Sequence, residues 1–366
     1  MKKVRIGTFN VNNLFERPRV MELEGFSDKG KEVLKDVARL GELLEKDSYA
    51  GEVGNEIVKL LNKYFHEEPD NPWFYINEIK EKLYGLRQDG SGVFLKVGGR
   101  KEWLGWVELV KQQTNEISVQ NSARVIKAID VDVLCVVEVD NRISLKRFNE
   151  YLLGAEAFEY PHAMVIDGND ERGIDVGILT RYPIINIKTH IDDRYKSTNG
   201  QFYKIFSRDC PEYKIDIGDG KFVHYLCNHL KSKGYGSQVS NDAKRKRQAN
   251  RIVEILEGYD LTTDLVVVAG DMNDTPNREP LKKLVNLPNL FDVFNSPKFS
   301  GARWTYHTGN QQIDYLLVSK PIFDNLKKVN LERRGIFKNN NPTFLQVTNK
   351  VTQASDHAAI YAEFEI

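Results

Sequence analysis

The chain has 366 residues, room for one large domain or two ordinary ones. Its composition, 41% apolar and 28% charged, excludes a wholly disordered chain. The balance of 52 basic against 52 acidic residues excludes bulk cationic binding of nucleic acid or membrane and leaves only a local basic patch open.

The first strand expected covers residues 4–11. Strand alternation puts Ile6, Thr8 and Asn10 on one face, with Asn10 at the strand's end and Asn12 just beyond it. Residues 31–46 and 56–65 carry apolar residues at helical spacing, and residues 73–86 continue the pattern through Phe74, Ile76, Ile79 and Leu83. Residues 88–100 are Gly-rich and turn-like. No catalytic cluster falls in this stretch. From Ser122 the texture changes. A short helix over 123–129 leads to an apolar strand over 133–137, and further strands are expected over 176–180, 221–228, 265–269, 313–319 and 358–364. A helix over 245–256 precedes the strand over 265–269. Strands and helices mixed in this way predict a layered α+β domain, with two sheets packed together. Cys135, Cys210 and Cys227 are too few, and odd in number, for a disulfide framework, which points to a reducing interior. No apolar run nears the roughly 20 residues of a membrane span and no secretory leader is evident, so a cytoplasmic protein is expected, with no membrane and no protein partner inferred.

Polar residues stand where these apolar strands end, which is where sites are commonly built. Glu138 closes V-L-C-V-V-E, although a strand-end carboxylate can equally be no more than solvated. Asp271, Asn273 and Asp274 follow V-V-V-A-G-D-M-N-D, a run that can position a water or simply make an Asx turn before Pro276. His229 and Lys231 follow another strand in H-Y-L-C-N-H-L-K-S-K-G. Asp314 sits inside the apolar run Q-Q-I-D-Y-L-L-V. A buried Asp needs a partner, and His357, beside Asp356 in A-S-D-H-A, is the obvious one.

Taken in order, F-N-V-N-N, V-E, R-G-I-D-V-G-I-L-T-R, N-H-L-K-S-K, G-D-M-N, I-D-Y and S-D-H resemble the endonuclease/exonuclease/phosphatase family, the deoxyribonuclease I-like fold, and within it the bacterial nuclease members. The resemblance covers residues 1–15 and about 118–366. It implies a four-layer α/β/β/α sandwich, two mixed sheets flanked by helices, as a single domain over 1–366 interrupted by a mostly helical insertion over 16–115. It also implies hydrolysis of phosphoesters with Mg²⁺, for which Mn²⁺ can substitute. Under it, Glu138 is the metal-binding glutamate, and Asp356 and Asn12 are further candidate metal ligands. Asp271 orients or deprotonates the attacking water with Asn273 beside it. His357, paired with Asp314, contacts the scissile phosphate, and His229 lies near it. Asn10 holds the phosphate and orients Glu138, and Arg172 and Lys231 are candidate substrate contacts. The abasic-site endonuclease branch has Asp where this chain has Asn12, and an amide oxygen is the weaker ligand for a hard cation.

Between His229 and Arg251, seven basic residues face the single acid Asp242, a segment that could track a polynucleotide backbone or be a solvated helix face. A nuclease acting on DNA or RNA is the expectation. A phosphoesterase for an inositol phosphate or sphingomyelin type of substrate is the alternative. The insertion leaves and returns between Asn10 and Glu138, so a lid over the site is expected of it, although a substrate-selecting arm, an oligomer contact or plain elaboration would serve as well.

Overall fold

A computed structural model describes residues 2–14, 16–18, 20, 28–65, 72–113, 116–170, 173–198, 200–234 and 237–366. The chain divides into two compact units, Met1–Phe15 with Thr114–Ile366, and Glu16–Gln113.

The larger unit is built from two sheets of six strands. One runs in the order Leu326–Glu332, Ala359–Glu365, Lys3–Leu14, Val133–Val139, Asp175–Thr180, His162–Val165. The other runs Ile184–Lys188, Glu212–Gly218, Lys221–His229, Leu265–Asp271, Asp314–Ser319, Leu290–Asp292. Each sheet is antiparallel except for one central parallel pair, Lys3–Leu14 with Val133–Val139 in the first and Lys221–His229 with Leu265–Asp271 in the second.

Strand alternation makes the layers. Val133, Cys135 and Val137 point inward and share a core with Tyr225, Cys227, Val267, Ala269, Leu316 and Val318 of the opposite sheet. Leu134 and Val136 point outward and are covered by Val125, Ile126 and Ile129 of the helix Glu116–Ile129. On the far side, Leu226, Val266, Val268 and Leu317 are covered by Ala249, Ile252, Val253 and Leu256 of the helix Gln238–Leu256. Burying both faces of each sheet takes most of the branched apolar residues out of water, at about 25 cal/mol per Å². The result is the expected α/β/β/α sandwich. All three cysteines are buried and free, as small hydrophobes. Among the described residues no helix is long and apolar enough to cross a membrane.

The smaller unit has its own core, with Leu40, Leu43, Ile57, Leu61, Leu83, Val93 and Trp103. Its first half is helical as expected, Asp28–Leu44 and Glu52–Phe65. Its second half is not. Residues 73–86, expected as helix, hold the strands Phe74–Lys80 and Tyr84–Leu86, paired with Leu104–Leu109 and Val93–Leu95. The alternation of half-buried Phe74 and Ile76 with exposed Tyr75 is a period of two, and the distant run Leu104–Leu109 supplies the ladder. The insertion is therefore helix followed by sheet, not mostly helix.

Candidate active site

The proposed site residues gather at one edge of the sandwich, where both central parallel pairs reach their C-terminal ends. Asn10 and Glu138 end the pair in one sheet. His229 and Asp271 end the pair in the other and lie opposite each other in register. Asp314 enters from the antiparallel neighbour, opposite Asp271.

Asn10 is buried and ties the sheets together. Its Nδ2 donates to Glu138 Oε1 at 3.3 Å and to Asp271 Oδ2 at 3.2 Å, and its Oδ1 accepts the Asn12 N–H at 3.0 Å. An amide can serve two carboxylates at once because its NH₂ has two donors. Asn12 (φ 52°) and Glu138 (φ 66°) adopt the left-handed backbone, a conformation uncommon outside glycine that clusters at functional sites. It turns Glu138 off its strand at the sheet edge, where its side chain is 19% exposed.

Asp271 follows Gly270, which sits at φ 132°, where a Cβ would overlap the Asn228 carbonyl oxygen. Only glycine fits this close approach of two strands. Asp271 Oδ1 accepts the Asn273 N–H at 2.7 Å, and the Asn273 amide donates to Asp271 Oδ2 at 3.2 Å and to the Leu230 carbonyl at 3.1 Å. His229 Nε2 lies 3.6 Å from Asp271 Oδ2 and 3.8 Å from Glu138 Oε1. Burial, then the nearby charge of Asp314, pushes the Asp271 carboxyl up to about 7, the poise of a general base near neutral pH.

Asp314 and His357 are both buried, and the His357 Nδ1–H donates to Asp314 Oδ2 at 2.8 Å. Burial opposes the imidazolium, but the Asp314 charge and hydrogen bond outweigh it and hold His357 well above its ordinary pKa. Nε2 is left pointing away from Asp314, with Asp356 Oδ1 3.8 Å from it. Asp356 is thus a neighbour of His357, and its backbone carbonyl accepts the His307 N–H at 3.1 Å. Thr305 supports the pair from below, its Oγ1 accepting the Asp314 N–H at 3.0 Å. The Tyr306 ring lies 5.0 Å from that of His357. Sequence reading missed Thr305 and Tyr306, although a W-T-Y run just before I-D-Y is a visible aromatic signal.

Two expectations fall differently. Arg172 lies outside the described residues. Lys231 turns its Nζ to the Gly234 carbonyl at 2.9 Å, within its own loop. The basic segment after His229 is largely neutralised within the fold. Lys233 and Arg245 pair with Asp274, Lys246 with Glu279, and Arg251 with Asp193 and Glu254. All of these acids but Glu254, three residues along the same helix, come from distant parts of the chain, so a count within the segment overstates its free charge.

The donor set suits a hard divalent cation. Glu138 offers carboxylate oxygens at the site's mouth, the ligands such ions prefer, while the Asn10 amide turns its NH₂, not its oxygen, toward them. Asp271, Asp314 and His357 also offer atoms within 4.8 Å of one another. An imidazolium has no lone pair to donate, so that triplet holds a cation only after His357 loses its proton.

Residues 112–357 match the Endonuclease/Exonuclease/phosphatase family. Among solved structures, a member of that family from Bacteroides vulgatus aligns with a TM-score of 0.50 at 15% identity, over 69% of this chain and 91% of its own. A truncated TDP2 from Caenorhabditis elegans aligns with a TM-score of 0.45 at 20% identity, over 68% and 90%. A family member from Leptotrichia buccalis aligns with a TM-score of 0.47 at 15% identity, over 68% and 93%. No curated protein matches the chain by sequence.

Proposed function

The chain belongs to the endonuclease/exonuclease/phosphatase family, a family of hydrolytic phosphoesterases, and from that premise we propose that it is a metal-dependent nuclease that cuts DNA or RNA by activated-water attack. The observation that carries the reading is the convergence of Glu138, Asn10, Asp271, Asn273, His229 and the Asp314–His357 pair on one sheet edge.

Glu138, with Asp356 or Asn12 as further candidates, would hold a Mg²⁺ or Mn²⁺ ion, which would supply Lewis acidity toward a phosphate oxygen when bound. The protein's own groups do the rest. Asp271 accepts a proton from the attacking water, a contribution on the order of 10²–10⁴-fold. Asn273 fixes the carboxylate's orientation through its backbone N–H and its amide. His357 carries a proton on Nε2 and presents it to a phosphate oxygen, while Asp314 locks Nδ1 and keeps the ring charged. His229 donates to the same phosphate, and Asn10 holds Glu138 and Asp271 at a fixed separation.

A polymer substrate is favoured by surface features of the same unit. The hairpin Arg194–Lys196/Phe202–Lys204 carries Phe202 at 63% and Tyr203 at 45% exposure, with Arg194 and Lys196 beside them. Arg247 stacks on Tyr195 at 3.6 Å. Rings alternating with cations suit unstacked bases and a phosphate chain.

The test is cleavage of labelled single- and double-stranded DNA and RNA with Mg²⁺, Mn²⁺ or EDTA, beside Asp271→Ala. Metal-dependent cutting lost in the variant upholds the nuclease, and the fragment sizes separate internal from terminal attack. A folded protein that cuts no polymer overturns it in favour of a small or lipid phosphoester.

A further inference from the structure

Arg245 lies on the inner side of the helix Gln238–Leu256 and is fully buried, which an arginine tolerates only when its charge and its donors are matched. Its guanidinium spreads over three partners. Nε donates to Asp274 Oδ2 at 3.1 Å, Nη1 donates to the Lys231 carbonyl at 2.6 Å, and Nη2 pairs with Asp242. Asp274 is fully buried as well. Its Oδ1 accepts the Thr275 N–H at 3.1 Å and lies 3.4 Å from Arg278 Nε and 3.6 Å from Lys233 Nζ. Its backbone carbonyl accepts the Tyr315 hydroxyl at 2.8 Å.

These bonds join the two loops that matter. Lys231 belongs to the loop after Lys221–His229, and Asp274 to the loop after Leu265–Asp271. The loops already touch where the Leu230 N–H donates to the Asp271 carbonyl at 2.9 Å and the Asn273 amide donates to the Leu230 carbonyl at 3.1 Å. The guanidinium bridges the loops again one residue beyond each end of that second contact. A lysine ammonium, a compact point charge, cannot reproduce this planar fork. Asn273 stands at this contact with a left-handed backbone (φ 54°), which asparagine adopts readily.

We propose that Arg245 and Asp274 are positioning residues that hold the loop following His229 against the loop following Asp271, and so keep Asn273 seated on the Asp271 carboxylate beside His229. The inference rests on the phosphodiesterase reading above. Neither residue touches substrate; both act through the loops, and a drift near 1 Å costs about 10²-fold in rate.

The experiment compares Arg245→Lys, Asp274→Asn, their double variant and Tyr315→Phe with the full-length wild type. It follows Mg²⁺-dependent hydrolysis of bis(p-nitrophenyl) phosphate, with circular dichroism and thermal melting in parallel. Arg245→Lys keeps a cation beside Asp274, so it folds where Arg245→Ala would strip Asp274 Oδ2 of its buried donor. Tyr315→Phe loosens the Asp274 backbone without touching a charge, which keeps the test open if a charge variant fails to fold. The expected result is a kcat lower by about 10²-fold in each charge variant, several-fold in Tyr315→Phe, and KM within about threefold throughout. The double variant is no slower than the worse single, as for two halves of one brace. A merely structural pair would lower the melting temperature and leave the kcat of the folded protein alone. Folded variants with wild-type kcat, beside an inactive Asp271→Asn, overturn the inference and leave the phosphodiesterase intact. A change confined to KM overturns it too, since that marks a substrate contact. If the wild type itself hydrolyses no phosphodiester, the phosphodiesterase reading falls; if Asp271→Asn is as active as the wild type, Asp271 is not the base and the brace proposed around it falls.

Discussion

Asp314→Asn isolates the electrostatics of the site, since it removes a charge and keeps the shape. In the wild type the His357 Nδ1–H donates to Asp314 Oδ2 at 2.8 Å with both groups buried. A hydrogen bond to a charged group contributes about 1.5–3 kcal/mol and a neutral one about 0.5–1.5, so the loss of about 1–1.5 kcal/mol slows a step that depends on the imidazolium by roughly 5- to 10-fold. The pH profile carries a second signature. His357 is raised above its ordinary value, so its bond to Asp314 stabilises the fold below that value and is lost as the pH rises through the folded one. Without Asp314, burial prevails and the ring loses its proton at lower pH. Asp271, pushed up to about 7 by burial and then by the Asp314 charge, falls at the same time. Both limbs of the profile of kcat/KM therefore move toward acid, and its maximum drops. The assay is initial-rate cleavage of a short labelled oligonucleotide across pH 4–10 at saturating Mg²⁺, with an EDTA blank. A profile of unchanged position and height would refute the reasoning.

Three further outcomes follow from the same geometry. Glu138→Gln abolishes metal-dependent cleavage and weakens Mn²⁺ binding by calorimetry, with the melting temperature within a few degrees of wild type, because the side chain stands at the site's mouth and not in the core. Glu212 is opposed by burial, but hydrogen bonds from His190, Tyr259 and Lys188 pull it down to about 2, so its stabilisation is present above its ordinary 4.5 and lost as the pH falls toward 2. Glu212→Gln should thus flatten acid unfolding in that window, removing up to about 3 kcal/mol measured by urea titration at pH 6. Excision of residues 19–110, with Pro18 joined to Lys111 by a short turn, leaves a protein that melts cooperatively, because the inserted unit has a core of its own and the pairing of Glu16–Pro18 with Lys111–Gln113 remains to close the gap. Aggregation of the excised protein would show that the larger unit depends on the insertion.

The layers of the sandwich are legible in the sequence because strand alternation alone separates Val133, Cys135 and Val137 from Leu134 and Val136. The strand-end polar residues were legible for the same reason, since each stands where an apolar run stops. What failed was whatever depends on a partner far along the chain. Residues 73–86 become strands through Leu104–Leu109 and Val93–Leu95, and the basic run after His229 is neutralised by Asp193, Asp274 and Glu279. Arg245 sits between these cases. It looked like one more cation of a basic segment, yet it falls on the stripe of Ala249, Ile252 and Leu256, at helical spacing, so its burial was written in the sequence.

The same spacing argument explains why the chemistry sits at this edge and not the opposite one. A strand's ladder fixes its backbone up to the last paired residue, and beyond it the side chains are free to face a ligand. Asn10, Glu138, His229 and Asp271 all stand at or near that last position of parallel strands, and Asp314 stands at the first position of an antiparallel one. Each is held by its own ladder, so no single loop has to carry the geometry. Asp271 is buried between the two sheets, hydrogen-bonded by Asn10 of one and facing the charge of Asp314 of its own. Desolvation raises its carboxyl toward neutrality, and the same low dielectric strengthens the neighbouring Asp314–His357 pair. One act of burial thus sets a base and an acid side by side, which the opposite edge, lacking the C-terminal ends of the parallel pairs, has no means to do.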